Sequence, residues 1–301
     1  MKKILIIGGS YFVGPLVIQK LIAAGHKVTV FNRGRIKKEY PAGVNFIRGD
    51  RNNGFNITER FDAAAATFDV VIDMCAYTGK QTRQAIKELK FDFFIHMGTA
   101  AAYKKSKTFP LTEDSSLGDW PLWGDYNKGK VECEKVLEKS GIKYATIRPV
   151  YILGPNNYLP RESFIYSKIK NSEPIIIPGD GRALIQFVSS HDVAQSIAMI
   201  AFKKLAGAVK GNFSAFNCAG DETITLVDLV KTMGKIAGRE PTLRFNPLAD
   251  GEKFNEAEFP FANENFIVSN EKLKNAGIAF TPLKKFLKKD YKDYYEYPKN
   301  I

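Results

Sequence analysis

Cysteine is scarce. Cys75, Cys133 and Cys218 are the whole complement, too few and too scattered for a disulfide framework, and none stands in a C-x-x-C pair with metal-like spacing. A reducing, cytoplasmic setting is the expectation. Long apolar runs are also missing: Ile4 to Ile7 is too short for the core of a signal peptide, and no later run approaches a membrane span. Secretion and membrane insertion are therefore not expected. Of the three histidines, His26 and His96 lack partners in sequence, so neither a zinc site nor a serine-hydrolase triad is expected and no metal is assigned. In "SSHDVA", Asp192 is read as a cap for the following helix and His191 as a locally packed side chain. Acidic residues are fewer than basic ones, 32 against 44, which leaves a net charge of +12. Eleven basic and three acidic side chains fall within residues 1 to 60. Such a balance suits phosphate-bearing or polyanionic partners, and equally a merely solubilising surface.

What the chain has is a rhythm. The apolar runs "ILII", "KVTVFN", "VNFIRG", "DVVIDM", "FDFFIHMG" and "YATIRPV" alternate with helical stretches such as "PLVIQKLIAAG", in which Gly25 is a stop signal. Alternation of this kind predicts an α/β fold, a doubly wound parallel sheet covered on both faces. Beyond about residue 155 the rhythm weakens. We therefore expect a Rossmann domain over 1–165, to which 183–206 returns, and a smaller mixed substrate-binding lobe over 166–301. The tail "KKFLKKDYKDYYEY" reads as a solvated amphipathic helix.

The first strand runs into Gly8-Gly9-Ser10-Tyr11-Phe12-Val13-Gly14, a turn whose backbone N–H groups, with the helix that follows, would face a pyrophosphate. Gly8 and Gly9 serve the turn, Gly14 serves close helix–strand packing, and Pro15 suits a first helical turn. Tyr11 stands where a middle glycine is usual, and its ring either packs against the fold or lines the adenosine end. Strand two ends at Asn32, where an NAD site would usually place a carboxylate, and Arg33, Arg35, Lys37 and Lys38 follow. Missing acid and added guanidinium groups favour NADP over NAD. Asp50 in "RGDRNN" is placed either to meet the adenine amino group or to cap a turn, and Arg51 beside it is included in the cofactor site.

Tyr126 and Lys130 have the Y-x-x-x-K spacing on a predicted helix, which puts both on one face. An ammonium near a tyrosine favours tyrosinate and so suits it to exchange a hydroxyl proton. Thr99 ends the fifth strand, at the sheet edge where ligands bind.

Glycine turn, Thr99, Tyr126 and Lys130 occur in the order of the short-chain dehydrogenases/reductases. Together with "RPVYILGP", "GDGRALIQFVSSHDVA" and "FNCAGDETITL", they make the whole chain resemble the extended members, the NAD-dependent epimerase/dehydratase group. Within that group "GGSYFVG" with "TVFNRGR" most resembles the bacterial relatives of chloroplast stem-loop-binding proteins, some of which bind RNA. The resemblance implies Thr99 as the hydroxyl that positions substrate, Tyr126 as acid/base and Lys130 as the residue that binds the nicotinamide ribose. It adds Ala76, Pro149 and Val150 to the cofactor site, and Tyr151 and Arg182 to the substrate site. Ala100 and Ala101 stand where related dehydratases carry acidic residues, which disfavours water elimination. Ile185 stands where related epimerases place a diphosphate-gripping arginine, and Arg182 either substitutes for it or is a loop arginine in water. The expectation is an NAD(P)-dependent oxidoreductase or epimerase of a sugar-like or nucleotide-sugar-like secondary alcohol, with a homodimer in keeping with the group. An RNA-binding protein on a dinucleotide-binding fold, and an NADP-binding redox sensor, are the alternatives.

Overall fold

The computed structural model describes residues 1–36, 39–56, 66–205 and 213–296. In chain order the strands and helices are β1 (Lys3–Ile7), α1 (Val13–Ala23), β2 (Lys27–Asn32), β3 (Val44–Arg48), β4 (Thr67–Asp73), α2 (Gly79–Glu88), β5 (Lys90–Met97), α3 (Gly124–Glu138) and β6 (Tyr144–Pro149). They continue with β7 (Tyr151–Leu153), α4 (Arg161–Lys170), β8 (Ile175–Pro178), β9 (Leu184–Ser189), α5 (Ser190–Leu205), β10 (Phe213–Cys218), β11 (Thr223–Thr225), α6 (Leu226–Ala237), β12 (Leu243–Asn246), α7 (Glu271–Asn275) and α8 (Leu283–Asp290).

Two compact units emerge, one comprising 1–105, 115–149 and 193–217, the other 106–114, 150–192 and 218–301. The division falls after Pro149, so β7 and α4 belong to the second unit. In the first unit a seven-stranded sheet has the order β10-β6-β5-β4-β1-β2-β3. Its strands are parallel, as in β1 with β2 and with β4. Because β1 runs through Ile4, Leu5, Ile6 and Ile7, all at most 1% exposed, it has no solvent face, the signature of a central parallel strand. The order reverses between β1 and β4, and a ligand crevice in such a sheet lies there, beyond the carboxyl ends.

Helix α1 buries Val13, Val17, Ile18 and Leu21 against the sheet. Gly25, at φ +78°, ends the segment in a conformation that disfavours any side chain.

The second unit holds small sheets, β11-β9-β7 and β12-β8. Its α8 buries Leu283, Phe286, Leu287 and Asp290, which bears out the amphipathic reading, and a turn over 291–295 brings Tyr291 and Tyr295 to 4.8 and 5.3 Å from the ring of Tyr166. Glu162 on α4 is 2% exposed; its Oε1 accepts from the Gly154 N–H, and its Oε2 has no partner among the described residues. Burial pushes the Glu162 carboxyl from an ordinary 4.5 up to about 8, and burial likewise raises Asp290 to about 6.

A raised acid holds its proton when folded while the unfolded chain releases it. Glu162 therefore lowers stability by about 1.4 kcal/mol per pH unit as pH rises from its ordinary value toward its folded one. Glu162→Gln is expected to flatten the slope of unfolding free energy against pH in that window; identical slopes in the two proteins would contradict the assignment.

Candidate active site

The β1–α1 turn is shaped by close approaches. Gly8 and Gly9 have φ of +90° and +74°, and a Cβ on Gly8 would meet Cys75 Sγ at 3.0 Å. A Cβ on Gly14 would collide with the Gly9 backbone, so only glycine lets α1 start this close to the turn. The amino terminus of α1 has no side-chain cap and no acid in its first turn, which leaves its dipole available to an anion. These features fit a bound pyrophosphate. Among the non-glycine residues of the turn it is Phe12 that takes a positive φ, +53°. Tyr11 is 44% exposed, so its ring is not packed into the fold. Val13 is buried, and its side chain serves the core.

At the end of β2, Asn32 braces the turn. Its Nδ2 donates to Gly8 O at 3.2 Å and to the Tyr40 hydroxyl at 2.8 Å, while its Oδ1 accepts from Gly34 N at 2.8 Å. Arg33 and Arg35 are exposed. Lys37 and Lys38 lie outside the described residues. Arg48, which sequence reasoning missed, brings its side-chain stem to 3.5 Å of the place a Gly34 Cβ would take. The signal was present in "FIRGD", a cation at the end of the neighbouring strand.

Asp50 caps the short turn 51–53, accepting from Asn52 N at 3.0 Å. Arg51, expected beside the cofactor, instead turns inward. Its guanidinium forks onto Asp73 at 2.7 and 2.9 Å, and it donates to Gln81 O at 3.0 Å. Burial opposes both charges, but their pairing prevails, raising Arg51 further and holding Asp73 below the usual carboxylate range. The pair ties the 51–53 turn to β4 and α2. Ala76, close after β4, is fully buried.

Across the sheet, residues in register with Asp73 share its face: His96 on β5, then Thr146 on β6. His96 is fully buried with both ring nitrogens unpartnered among the described residues, and burial together with the Lys130 charge pushes it down to about 3. It is therefore a neutral ring throughout the ordinary pH range.

The three residues expected to carry chemistry all lie in the first unit. Thr99 follows β5 and is 7% exposed; its Oγ1 accepts from Ala101 N at 3.1 Å, which fixes the hydroxyl at the sheet edge. Lys130 on α3 is 3% exposed, donates to Met97 O at 2.8 Å, and sits 5.0 Å from the Tyr77 ring centroid and 5.9 Å from that of Tyr126. Tyr126 is 40% exposed, so its ring borders solvent while the ammonium is held beneath it.

Helix α3 approaches the 77–78 backbone so closely that a Cβ on Gly129 would strike Tyr77 O. That explains glycine inside "YNKGK". Its other anchors were missed by sequence reasoning. Asn127, on the buried side, donates to Ala101 O and Gly118 O, both at 2.7 Å. Glu134 pairs with Arg148 on β6 at 2.7 Å, Arg148 donates to the Tyr103 hydroxyl at 2.9 Å, and that hydroxyl reaches Asn217 Oδ1 at 2.7 Å. The Thr99 turn and the Tyr126–Lys130 helix are thus fastened to one buried network.

In the second unit, Tyr151 does not line an open site. It is 7% exposed and packs edge-on against Phe261 and Phe266 at 5.0 and 5.5 Å, with the Arg161 guanidinium 5.1 Å from its ring. The convergence of these rings makes it a core residue. Pro149, of the first unit, and Val150 are buried at the start of the same segment. Arg182 is exposed in a turn where its N–H bonds Asp180 Oδ1 at 2.9 Å. Asp192 is not the helix cap: Ser189 Oγ accepts from Asp192 N, and the Asp192 carboxylate binds Thr281 N and Oγ1 at 2.9 and 3.0 Å. His191, read as locally packed, is exposed. No helix among the described residues is long and apolar enough to cross a membrane.

Comparison with known proteins agrees with this geometry. The chain is 31% identical over 290 residues to the chloroplast stem-loop binding protein of 41 kDa b of Arabidopsis thaliana, covering 91% of this chain and 74% of that one. It is 25% identical over 214 residues to UDP-glucose 4-epimerase of Lactobacillus helveticus, covering 61% of this chain and 62% of the enzyme. The crystal structure of UDP-glucuronic acid 4-epimerase from Bacillus cereus, in complex with UDP-glucuronic acid and NAD, superposes with a TM-score of 0.73 at 20% identity, covering 96% and 98% of the two chains. The sequence model of the NAD dependent epimerase/dehydratase family matches residues 4–219, and with the glycine turn and the Thr99, Tyr126 and Lys130 positions in place, the chain belongs to that family.

Proposed function

We propose that this chain is an NAD(P)-dependent oxidoreductase or epimerase of a secondary alcohol on a sugar or nucleotide-sugar-like substrate. The observation that carries the reading is the placement of the Lys130 ammonium, buried against Met97 O and beneath the exposed Tyr126 ring, beside a Thr99 hydroxyl fixed at the sheet edge. When bound, the dinucleotide supplies the hydride donor or acceptor. Thr99 orients the reacting oxygen, and Tyr126 gives or takes its proton at the phenolic oxygen. Lys130 supplies the positive charge that favours the tyrosinate form. Gly8, Gly9, Ser10, Tyr11, Phe12 and Gly14 form the pyrophosphate turn, and exposed Tyr11 is free to line the adenosine end.

NADP is the favoured cofactor. Asn32 fills the place of the ribose-binding acid and is committed to the turn, while Arg33 and Arg35 follow β2 and Arg48 ends β3 in register with Asn32. Arg33→Ala with Arg35→Ala is expected to weaken NADP binding by about tenfold or more and to leave NAD binding nearly unchanged, as measured by calorimetric titration. Equal losses for both cofactors, or none, would contradict a 2′-phosphate site.

A second reading, RNA binding, is favoured by the +12 charge and by likeness to a protein named for stem-loop binding. Affinity for an RNA hairpin should then be strongest at low salt and fall steeply as salt rises; no binding at low salt would exclude it.

A further inference from the structure

The Lys130 ammonium lies under two aromatic rings, and only one of them belongs to the Y-x-x-x-K pair. The other is Tyr77, in the segment between β4 and α2, whose ring centroid is 5.0 Å from the ammonium against 5.9 Å for that of Tyr126. The two rings stand 6.2 Å apart, tilted at 52°. Both border solvent, Tyr77 at 47% and Tyr126 at 40% exposure, yet Lys130 is 3% exposed. The rings are therefore part of what keeps water from the ammonium.

The backbone beneath Tyr77 is held from two sides. Its N–H donates to Gln81 Oε1 at 2.8 Å, and its carbonyl is the atom against which Gly129 of α3 closes. Gln81 is fixed in turn, because its Nε2 donates to Asn52 Oδ1 and its carbonyl accepts from Arg51, both at 3.0 Å. None of these contacts uses the Tyr77 side chain. The ring is displayed by a mount that does not depend on it, so it can be exchanged without disturbing the turn.

Charge around the ammonium is one-sided. From β4, Asp73 is committed to Arg51, and burial pushes the Cys75 thiol up. From β5, His96 is neutral, and on α3 burial pushes the Cys133 thiol up. Asp125 and Lys128, which flank Tyr126 in sequence, lie 3.7 Å from each other in solvent, and Glu134 is taken by Arg148. A cation among neutral groups is steadied by the negative face of an aromatic ring, and more strongly where water is kept away.

We propose that Tyr77 is a positioning residue of the active site: its ring holds the Lys130 ammonium in place and dry, and through that ammonium sets how readily Tyr126 gives up its proton. The inference rests on the Tyr126–Lys130 reading above and adds to it a residue from outside the Y-x-x-x-K helix. Two effects compete when the ring is removed. Water reaching the Tyr126 phenol would favour tyrosinate, but that ring already borders solvent. Water reaching the ammonium would screen its charge, and Lys130 has almost no exposure to begin with. The second effect is the larger, so loss of the ring should make Tyr126 harder to ionise.

The test is NMR titration of the full chain, isotope-labelled at tyrosine Cζ, without cofactor or substrate, the Tyr126 signal being assigned by its absence from Tyr126→Phe. In the wild type Tyr126 should titrate below the ordinary tyrosine value of about 10. Tyr77→Ala should raise that midpoint by about one pH unit, and Tyr77→Phe, which keeps the ring, should leave it in place. A depressed midpoint that Tyr77→Ala does not move overturns the proposal alone. So does a shift in Tyr77→Phe as large as that in Tyr77→Ala, which would assign the effect to the Tyr77 hydroxyl. A wild-type Tyr126 that titrates at the ordinary value or above would instead sink the Tyr126–Lys130 reading itself, and this inference with it.

Discussion

Tyr126→Phe is expected to lower kcat/KM on any substrate the wild-type chain turns over by about 10²–10⁴-fold, with little change in cofactor affinity. The substitution removes one oxygen and keeps the ring. The ring contacts Tyr77, 6.2 Å away between centroids, and the Lys130 ammonium, and neither of these two contacts needs the hydroxyl. Loss should therefore fall on proton transfer and not on binding or folding. Lys130→Met differs in kind. It leaves the Met97 carbonyl without the Lys130 donor and removes the charge under Tyr126, so kcat should fall and the KM for cofactor should rise together. A Tyr126→Phe protein with wild-type turnover would show that another group moves the proton.

Arg148→Ala is expected to destabilise the chain by about 3–5 kcal/mol, because it strands the carboxylate of Glu134 where neither partner is more than 6% exposed. In a protein of this size the midpoint of thermal unfolding should drop on the order of 10 °C. The Tyr103 hydroxyl loses a donor in the same stroke, since Arg148 bonds it at 2.9 Å and stacks 4.9 Å from its ring. Activity should fall as well, since this network fastens α3, which carries Tyr126 and Lys130. The control is Glu134→Met with Arg148→Met, which removes both charges and keeps bulk. It should recover most of the lost stability, as a buried ion pair replaced whole is close to neutral. A double variant as unstable as Arg148→Ala would mean that packing, not the stranded charge, dominates.

The fold was written plainly in the apolar runs. Parallel strands buried on both faces read as unbroken Ile, Val and Phe, so "ILII", "KVTVFN" and "FDFFIHMG" fall within β1, β2 and β5 to within a residue or two. The chemistry was legible for a different reason: Tyr126 and Lys130 are four apart on one helix, and local spacing alone brings them together. What could not be read depends on partners far away in sequence. "GDRNN" looks like a solvated loop, and only Asp73, arriving on β4, draws Arg51 inside. Tyr151 follows a strand end like a ligand-facing residue, yet Phe187, Phe261 and Phe266 close over it from segments that carry no common period. Tyr11 stands where a glycine is usual, but it is Phe12 that takes a positive φ, which residue identity alone does not reveal. Asn127 is not singled out between Tyr126 and Lys130 because its partners, the Ala101 and Gly118 carbonyls, come from segments outside the helix.

The most direct test of the account is reduction of a nucleotide-activated ketosugar by NADPH, followed in the wild type, in Thr99→Val, Tyr126→Phe and Lys130→Met, and in the triple variant. Three groups acting on one oxygen should behave as a unit, so Tyr126→Phe alone is predicted to lose nearly as much rate as the triple variant. Losses that simply add across the three sites, or a Tyr126→Phe rate equal to the wild type, would contradict it.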